Sequence, residues 1–181
     1  MKIIKALENY SKNENDTVIF LAGSCSGTNK NWRNEVIKFL ENIENDKTLS
    51  LDNLVIIDPF RKDWPKTEDG IKEQVDWENS MAEQCDIFSC YFDKNKNSVS
   101  PISLYETGKY LMLIKSKFSN VKLNYRLILS AHPDYDLFNI ASYQIAYATK
   151  NWKTHIELVS TEKNIMVHAS RILEAYIKIS K

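Results

Sequence analysis

The chain has 181 residues, of which 43% are hydrophobic and 27% are charged, which is typical of one globular domain over residues 1–181. Its formal net charge is zero, so we expect no global attraction to nucleic acid or to an anionic membrane. No stretch approaches the roughly 18 apolar residues of a membrane span, and the polar lead-in over 1–16 lacks the apolar core of a signal peptide, so we expect a cytoplasmic protein.

The residues that commonly bind metals are not arranged as a metal site. Three cysteines show no ligand spacing, and three histidines are scattered along the chain. An odd number of cysteines in a cytosolic chain is typical of reduced thiols. We therefore predict neither a metal nor a cofactor.

Five apolar runs predict buried strands, because they are rich in Val, Ile, Leu and Phe and mostly lack alternation. These runs cover residues 17–23, 54–58, 86–92, 125–131 and 154–160. Helical patterns follow each run, at 31–43, 70–85, 101–115, 138–150 and 162–179. This alternation indicates an α/β fold, a doubly wound parallel sheet with helices on both faces. Ligands bind beyond the carboxyl ends of such strands, so we expect a site in the loops that follow them.

The loop after the first predicted strand, AGSCSGTN, combines glycines with hydroxyl side chains before a helix. Such a loop can hold a phosphate or sugar hydroxyls. The candidate ligand-binding residues are Gly23, Ser24, Ser26 and Gly27. A plain strand-to-helix connection explains the same residues equally well.

The loop after the second predicted strand, DPFRKDWP, supplies three further candidates: Asp58, Arg61 and Trp64. An arginine can hold a phosphate or carboxylate, and a tryptophan can stack on a base. Arg61 as an ordinary surface cation is the alternative interpretation.

Glu78 interrupts an apolar helical face. Ile71, Val75, Glu78, Ala82 and Cys85 recur at steps of four and three, which places them on one side of a helix. A buried glutamate needs a partner such as Arg33 or Arg61, or else lines a polar cavity. Both interpretations remain open at this stage.

Two aspartates flank the third predicted strand. Asp93 follows it, where an aspartate commonly caps a turn. Asp86 opens it, which is unusual because aspartate is a poor strand residue.

Glu106 stands near the start of an otherwise apolar helix, in the stretch SPISLYETGKYL. Ser100 and Pro101 predict the helix start, where the macrodipole favours an anion. An exposed glutamate stabilised by that dipole is the simpler explanation. Gly108 in mid-helix costs about 1 kcal/mol relative to alanine, which suggests a close approach of backbone or ligand.

These pieces occur together in one family. IFLAGSCSG with Trp32, IIDPFRKDW, QVDWENSMAEQCDIFSCYFD and SPISLYETG stand in family order between residues 18 and 108, about half of the chain. The chain thus resembles the nucleoside 2-deoxyribosyltransferases and their relatives, which include nucleotide N-glycosidases. The resemblance implies a flavodoxin-like fold with five strands, and an oligomer with sites near subunit interfaces.

The resemblance also implies residue roles. Glu106 takes the place of the nucleophile, held ionised at a helix N-terminus. Asp86 occupies the position of an aspartate that binds or protonates the leaving base. Ser100 stands where these transferases often carry an aspartate, so Asp93 or Ser100 is expected to substitute. Asn139 corresponds to a polar residue directed towards a neighbouring subunit's site.

The function implied is cleavage of an N-glycosidic bond through a covalent glycosyl-glutamate, with transfer of the sugar to another base. The expected partners are a small nucleoside or nucleotide, a free nucleobase and further copies of the chain. Two alternatives stay open: a hydrolase acting on nucleoside 5′-monophosphates, which the small polar AGSCSG loop would suit, and a nucleotide-sensing module without turnover.

Overall fold

A computed structural model of the protein describes residues 1–24, 31–94, 100–119 and 121–180. Strands and helices alternate along almost all of this length. In chain order they are β1 Lys2–Lys5, β2 Thr17–Gly23, α1 Trp32–Asn45, β3 Leu54–Asp58, α2 Glu68–Gln84, β4 Ile87–Phe92, α3 Pro101–Phe118, α4 Leu123–Arg126, β5 Leu127–Ala131, α5 Phe138–Thr149, β6 Leu158–Ser160 and α6 Ile165–Ile179.

The strands form one parallel sheet in the order β1-β3-β2-β4-β5-β6. The predicted flavodoxin-like α/β fold is confirmed, but the sheet has six strands rather than five. The additional strand lies within the predicted polar lead-in, where Ile3 and Ile4 pair with Ile56 and Ile57 of β3. A four-residue run is too short to show a period, so its pairing depends on the exposed edge of β3.

Helices cover both faces of the sheet. One face packs against α2, α3 and α5, and the other packs against α1 and α6. On the first face the rings of Phe88 in β4 and Tyr110 in α3 stack at 4.6 Å, which fixes α3 against the strand. The central strands carry buried side chains throughout, as strands covered on both faces must.

A polar cluster lies inside the second face. The His168 ring nitrogens lie 2.9 Å from Ser89 Oγ and 2.9 Å from Ser130 Oγ, and Arg171 donates to the same Ser130 oxygen at 2.8 Å. Burial lowers the pKa of His168 to about 3, so the imidazole is neutral. The cluster joins α6 to β4 and β5 and leaves the histidine satisfied as a core residue.

Helix α2 is rotated relative to the predicted face. Gln74, Met81 and Ala82 are buried, whereas Ile71 and Val75 are exposed. The prediction that Ile71 and Val75 face the core is therefore wrong. The polar amide of Gln74 takes the inner position because it bridges the end of β3 and Glu78, a contact that apolar periodicity cannot reveal.

Candidate active site

The strand order changes direction between β2 and β4, which are neighbours although β3 comes between them in sequence. Ligand crevices in open α/β sheets form at such a switch point, beyond the carboxyl ends of the strands. Ser24 follows β2, Asp93 follows β4, and Ser100 is the N-cap of α3. The Ser24 and Ser100 hydroxyls are 2.7 Å apart, and the Asp93 backbone N–H donates to Ser24 Oγ at 3.0 Å.

These contacts change the interpretation of the first loop. Both serines are buried and their hydroxyls are occupied by each other, so they join two loops. Gly23 has a φ of +128°, and a Cβ there would lie 2.2 Å from the Tyr91 carbonyl oxygen. Gly23 therefore serves the close approach of β2 and β4. Ser26 and Gly27, the other two candidates, lie outside the described residues.

Arg33 of α1 stabilises the carboxyl end of β2. Its guanidinium is 1% exposed and donates to the carbonyl oxygens of Leu21, Gly23 and Ser24 at 2.9, 3.0 and 3.1 Å. The planar fork of arginine suits such a set of acceptors. From the sequence, Arg33 was predicted only as a possible partner of Glu78. Its contacts with the β2 carbonyls could not be predicted, because a single arginine at the start of a helix forms no pattern.

Helices α2 and α3 each bring a glutamate to the crevice. They are joined next to these glutamates, where Asn79 Oδ1 accepts from Lys109 Nζ at 2.6 Å and from Tyr110 Oη at 3.3 Å. Glu78 precedes Asn79, and Glu106 lies one turn before Tyr110. The two carboxylates are close enough for the charge of Glu78 to act on the pKa of Glu106.

Glu78 is half-buried, as a member of the inward face of α2 should be. Its Oε1 accepts from Gln74 Nε2 at 2.6 Å. Burial raises the pKa of Glu78, while the Gln74 hydrogen bond and the charge of Arg33 act in the opposite direction. Of the two alternatives, the structure favours a glutamate that lines a polar crevice, with a neutral amide as its direct partner.

Glu106 is also half-buried, on the side of α3 that carries Ser103, Thr107 and Tyr110. Burial raises its pKa to about 7, and the charge of Glu78 adds to this rise, against the effects of Arg33 and Lys109. Burial thus acts against the ionised state that the helix N-terminus was predicted to favour. The macrodipole fades within the first turn, and Glu106 lies beyond it. The two carboxylates are therefore coupled, since the charge of Glu78 raises the pKa of Glu106.

Asp86 lies at the other edge of the sheet. It precedes β4, and a six-residue strand separates it by about 20 Å from the carboxyl end of β4. Both of its oxygens accept from Lys12 Nζ at 2.6 Å, and Oδ2 also accepts from the Val18 N–H at 2.9 Å. These bonds satisfy the carboxylate, so its position contradicts a role at the leaving base. Asp86 anchors the N-terminal segment to the sheet.

The second loop divides into one structural residue and two peripheral ones. Asp58 is buried, accepts from Lys5 Nζ at 2.8 Å and lies 3.8 Å from Arg33 Nε, so it stabilises the end of β3. Arg61 is half-buried and points to Gln74 Oε1 at 3.4 Å, beside the crevice. Trp64 is 49% exposed and lies on the surface of this loop.

Asp93 is half-buried at the crevice, and burial raises its pKa against the hydrogen bond from the Lys94 N–H. The structure thus brings Asp93 and Ser100 to the same place. Asn139 is exposed in the first turn of α5. Gln74, which bonds to both Pro59 and Glu78, was not predicted from the sequence. Its fully buried amide was detectable only as a polar residue one position before an apolar one.

Other candidate features lie away from this crevice. A polar cavity of about 260 Å³ is lined by residues of α4, β5, α6 and the segment just before β6, including Arg171 and Glu174. Among the described residues, no three His, Cys, Asp or Glu side chains cluster as metal ligands would. None of the helices in the described part of the chain is long and apolar enough to cross a membrane.

The family described as nucleoside 2-deoxyribosyltransferase like matches residues 16–122. This match covers more than half of the chain and includes both glutamates, Asp93, Ser100 and Arg33. The chain belongs to this family. No curated protein matches the chain.

Proposed function

We propose that this protein is an enzyme that cleaves the N-glycosidic bond of a 2′-deoxynucleoside and transfers the sugar to a second base. The observation that carries the proposal is the pair of half-buried glutamates, Glu78 and Glu106, at the switch point of the sheet. Paired carboxyl groups with raised pKa values supply one acid and one nucleophile at the same pH.

The first half of the reaction uses both members of the pair. Ionised Glu106 attacks the anomeric carbon on the face opposite the base, through an oxocarbenium-like transition state. The bond between that carbon and the base nitrogen breaks, and its electron pair stays with the base. In the form of the pair in which Glu106 is ionised, the shared proton is on Glu78, which donates it to the leaving base. The product is a covalent glycosyl-Glu106, with Glu78 left ionised.

The second half reverses these roles. Glu78 removes a proton from the incoming base, whose nitrogen attacks the anomeric carbon and releases Glu106. Two inversions give net retention of configuration. Asp93 lies at the same crevice and is assigned to hold the sugar or the base. Water in place of the second base gives hydrolysis by the same steps.

Chromatography tests the activity directly. The protein is incubated with 2′-deoxynucleosides and, in parallel, with their 5′-monophosphates, each with and without a second free base. We expect a new nucleoside only when the second base is present. Glu106→Gln is expected to lower the rate about 10³-fold or more with an unchanged circular dichroism spectrum. Full activity of that variant overturns the assignment of the nucleophile.

One observation favours the hydrolase as a second candidate. Arg61 is half-buried beside Gln74 at the rim of the crevice, where a guanidinium suits a 5′-phosphate. Release of free base from the monophosphates, without exchange, identifies this activity, and Arg61→Met then raises KM. If no mixture yields a product while the nucleotides bind, the sensing module is the correct function.

We also propose that the protein assembles with a second copy of itself through α3 and α5. Both helices expose apolar side chains at helical spacing on the same side of the sheet. They are Ile102, Tyr105 and Met112 of α3, and Ile140, Tyr143 and Tyr147 of α5, each at least 60% exposed. A cluster of large apolar side chains that stay mostly exposed is typical of a protein interface. Asn139 adjoins this surface.

Light scattering after gel filtration measures the assembly. We expect a mass of at least two chains, and Tyr143→Asp is expected to reduce it to that of one chain. Val121→Asp, which changes an apolar residue that is 57% exposed outside these helices, is the matched control and keeps the wild-type mass. A monomeric wild-type protein contradicts the proposal.

A further inference from the structure

Arg33 connects the two strand ends that hold the glutamate-bearing helices. One route runs through β2. The Ser24 carbonyl accepts from Arg33 Nη1 at 3.1 Å, and the Ser24 hydroxyl lies 2.7 Å from Ser100 Oγ. Ser100 is the N-cap of α3, the helix that carries Glu106. Arg33 is thus connected to the helix that carries Glu106 through Ser24 and that helix's N-cap, Ser100.

The other route runs through β3. Arg33 Nε lies 3.8 Å from Asp58 Oδ1, at the last residue of this strand. The next residue, Pro59, accepts from Gln74 Nε2 at 3.2 Å, and the same nitrogen donates to Glu78 at 2.6 Å. The guanidinium therefore stands where the supports of both glutamates meet.

The charge of Arg33 acts on the same two groups. The groups that face Glu106 are Glu78 from α2, Lys109 from its own helix and Arg33 from α1. Glu78 pushes towards protonation, and the two cations oppose it. Of these cations, only Arg33 also acts on Glu78.

We propose that Arg33 is a positioning residue that sets the charge state of the Glu78–Glu106 pair, an inference that rests on the proposed function. It holds the pair at one shared proton, so that one glutamate is ionised for attack while the other is protonated. An arginine that only fastens the end of β2 would add stability and leave the titration of both glutamates unchanged. This difference makes the two roles separable.

The test compares Arg33→Gln with Arg33→Lys. Carbon-13 NMR follows the glutamate carboxyl groups over a pH titration of the substrate-free protein, and kcat/KM is measured over the same range. We expect Arg33→Gln to raise the pKa of Glu106 by about 1 and to move the acid limb of kcat/KM upward equally. Arg33→Lys keeps the charge and is expected to stay within about 0.3 of the wild type.

Arg171→Met is the matched control. Arg171 of α6 is half-buried and, like Arg33, donates to a strand carbonyl, that of Leu129, at 2.6 Å, but it is not among the groups that act on either glutamate. This variant is expected to lose stability without any change in the acid limb.

A wild-type titration in folded Arg33→Gln overturns the inference. If Arg33→Gln does not fold, Arg33→His decides, because a buried imidazole is neutral near pH 7: a rise of about 1 in the pKa of Glu106 supports the charge role, and a wild-type titration refutes it. The titration needs no substrate, so it tests Arg33 even if the protein fails to cleave any nucleoside. An active enzyme with an unshifted titration refutes the role of Arg33 alone.

Discussion

Carboxylates that are at least half-buried lie at both ends of the parallel strands, the amino end and the carboxyl end, but their hydrogen-bond partners differ. At the amino edge, Asp86 binds a lysine with both oxygens and also accepts a backbone N–H. At the carboxyl ends of the strands, the charge of Glu78 acts on Glu106, and Arg33, whose charge acts on both, donates its hydrogen bonds to backbone carbonyls. The first carboxylate is satisfied, whereas the second pair keeps raised pKa values.

This difference teaches how a structural carboxylate can be told from a reactive one. Both edges have acidic residues next to strands, and both contain a nearby cation. What separates them is whether the hydrogen bonds of the cation go to the carboxylate or elsewhere. A carboxylate left to a like-charged neighbour in a partly buried place is poised to exchange a proton.

The sharpest test of the comparison is to neutralise one carboxylate at each edge. Glu78→Gln removes the acid from the pair, so kcat/KM is expected to fall by about 10²-fold or more. Asp86→Asn is expected to keep the activity of the folded protein. Steady-state rates at pH 7, corrected for folded fraction, measure both. An inactive Asp86→Asn variant would contradict the assignment of Asp86 as a structural carboxylate.

The pH dependence of stability should differ between Glu106 and its glutamine variant. The pKa of Glu106 rises from its ordinary 4.5 to about 7 on folding, so its contribution is complete below pH 4.5 and is lost as the pH rises through 7. Glu106→Gln should therefore exceed the wild type by about 2 kcal/mol in free energy of unfolding at pH 8, after allowance for partial exposure.

Urea unfolding of both proteins at pH 4 and pH 8 measures this difference. The excess is expected to disappear at pH 4, where Glu106 is protonated in the folded and the unfolded chain. An excess that is equal at both pH values would mean that packing, and not ionisation, distinguishes the two side chains.

At the amino edge, the loss should appear in stability instead. Asp86→Asn leaves the Lys12 ammonium and the Val18 N–H with a weaker acceptor, which is expected to lower the free energy of unfolding by about 1–2 kcal/mol at pH 7. Glu8→Gln serves as the control, because it changes an exposed carboxylate that accepts the backbone N–H of Lys5. Equal losses in both variants would contradict the anchoring role of Asp86.

The smallest expected effect concerns Gly108. A Cβ at this position meets nothing within 4 Å, so the described chain itself does not require glycine, contrary to the predicted close approach. Gly108→Ala should raise the free energy of unfolding by about 0.5–1 kcal/mol through helix propensity. Gly108 lies between Tyr105 and Met112, so a concurrent loss of the assembled mass would show that a second copy uses this space.

Much of the crevice was predictable because strand ends can be read from apolar runs. Asp93 and Ser100 follow from the strand ends, whereas Glu78 was found by its spacing on a helical face and Glu106 by its place in a helix and its motif. The predicted place of Asp86 at the leaving base does not fit the structure, and the sequence contained a warning. A residue that opens a parallel strand lies at the opposite end of the strand from the ligand site. Gln74 could not be found, because its importance lies in contacts with residues from other elements.

By itself, the sequence determined the α/β class, the order of the elements around the site and the family, because apolar periodicity and local motifs are properties of neighbouring residues. The tertiary structure decided the pairing of β1, the rotation of α2, the exclusion of Asp86 and the charge state of Glu106. Each of these depends on burial and on charges distant in sequence, and the energy of an ionised group depends on all the groups that surround it.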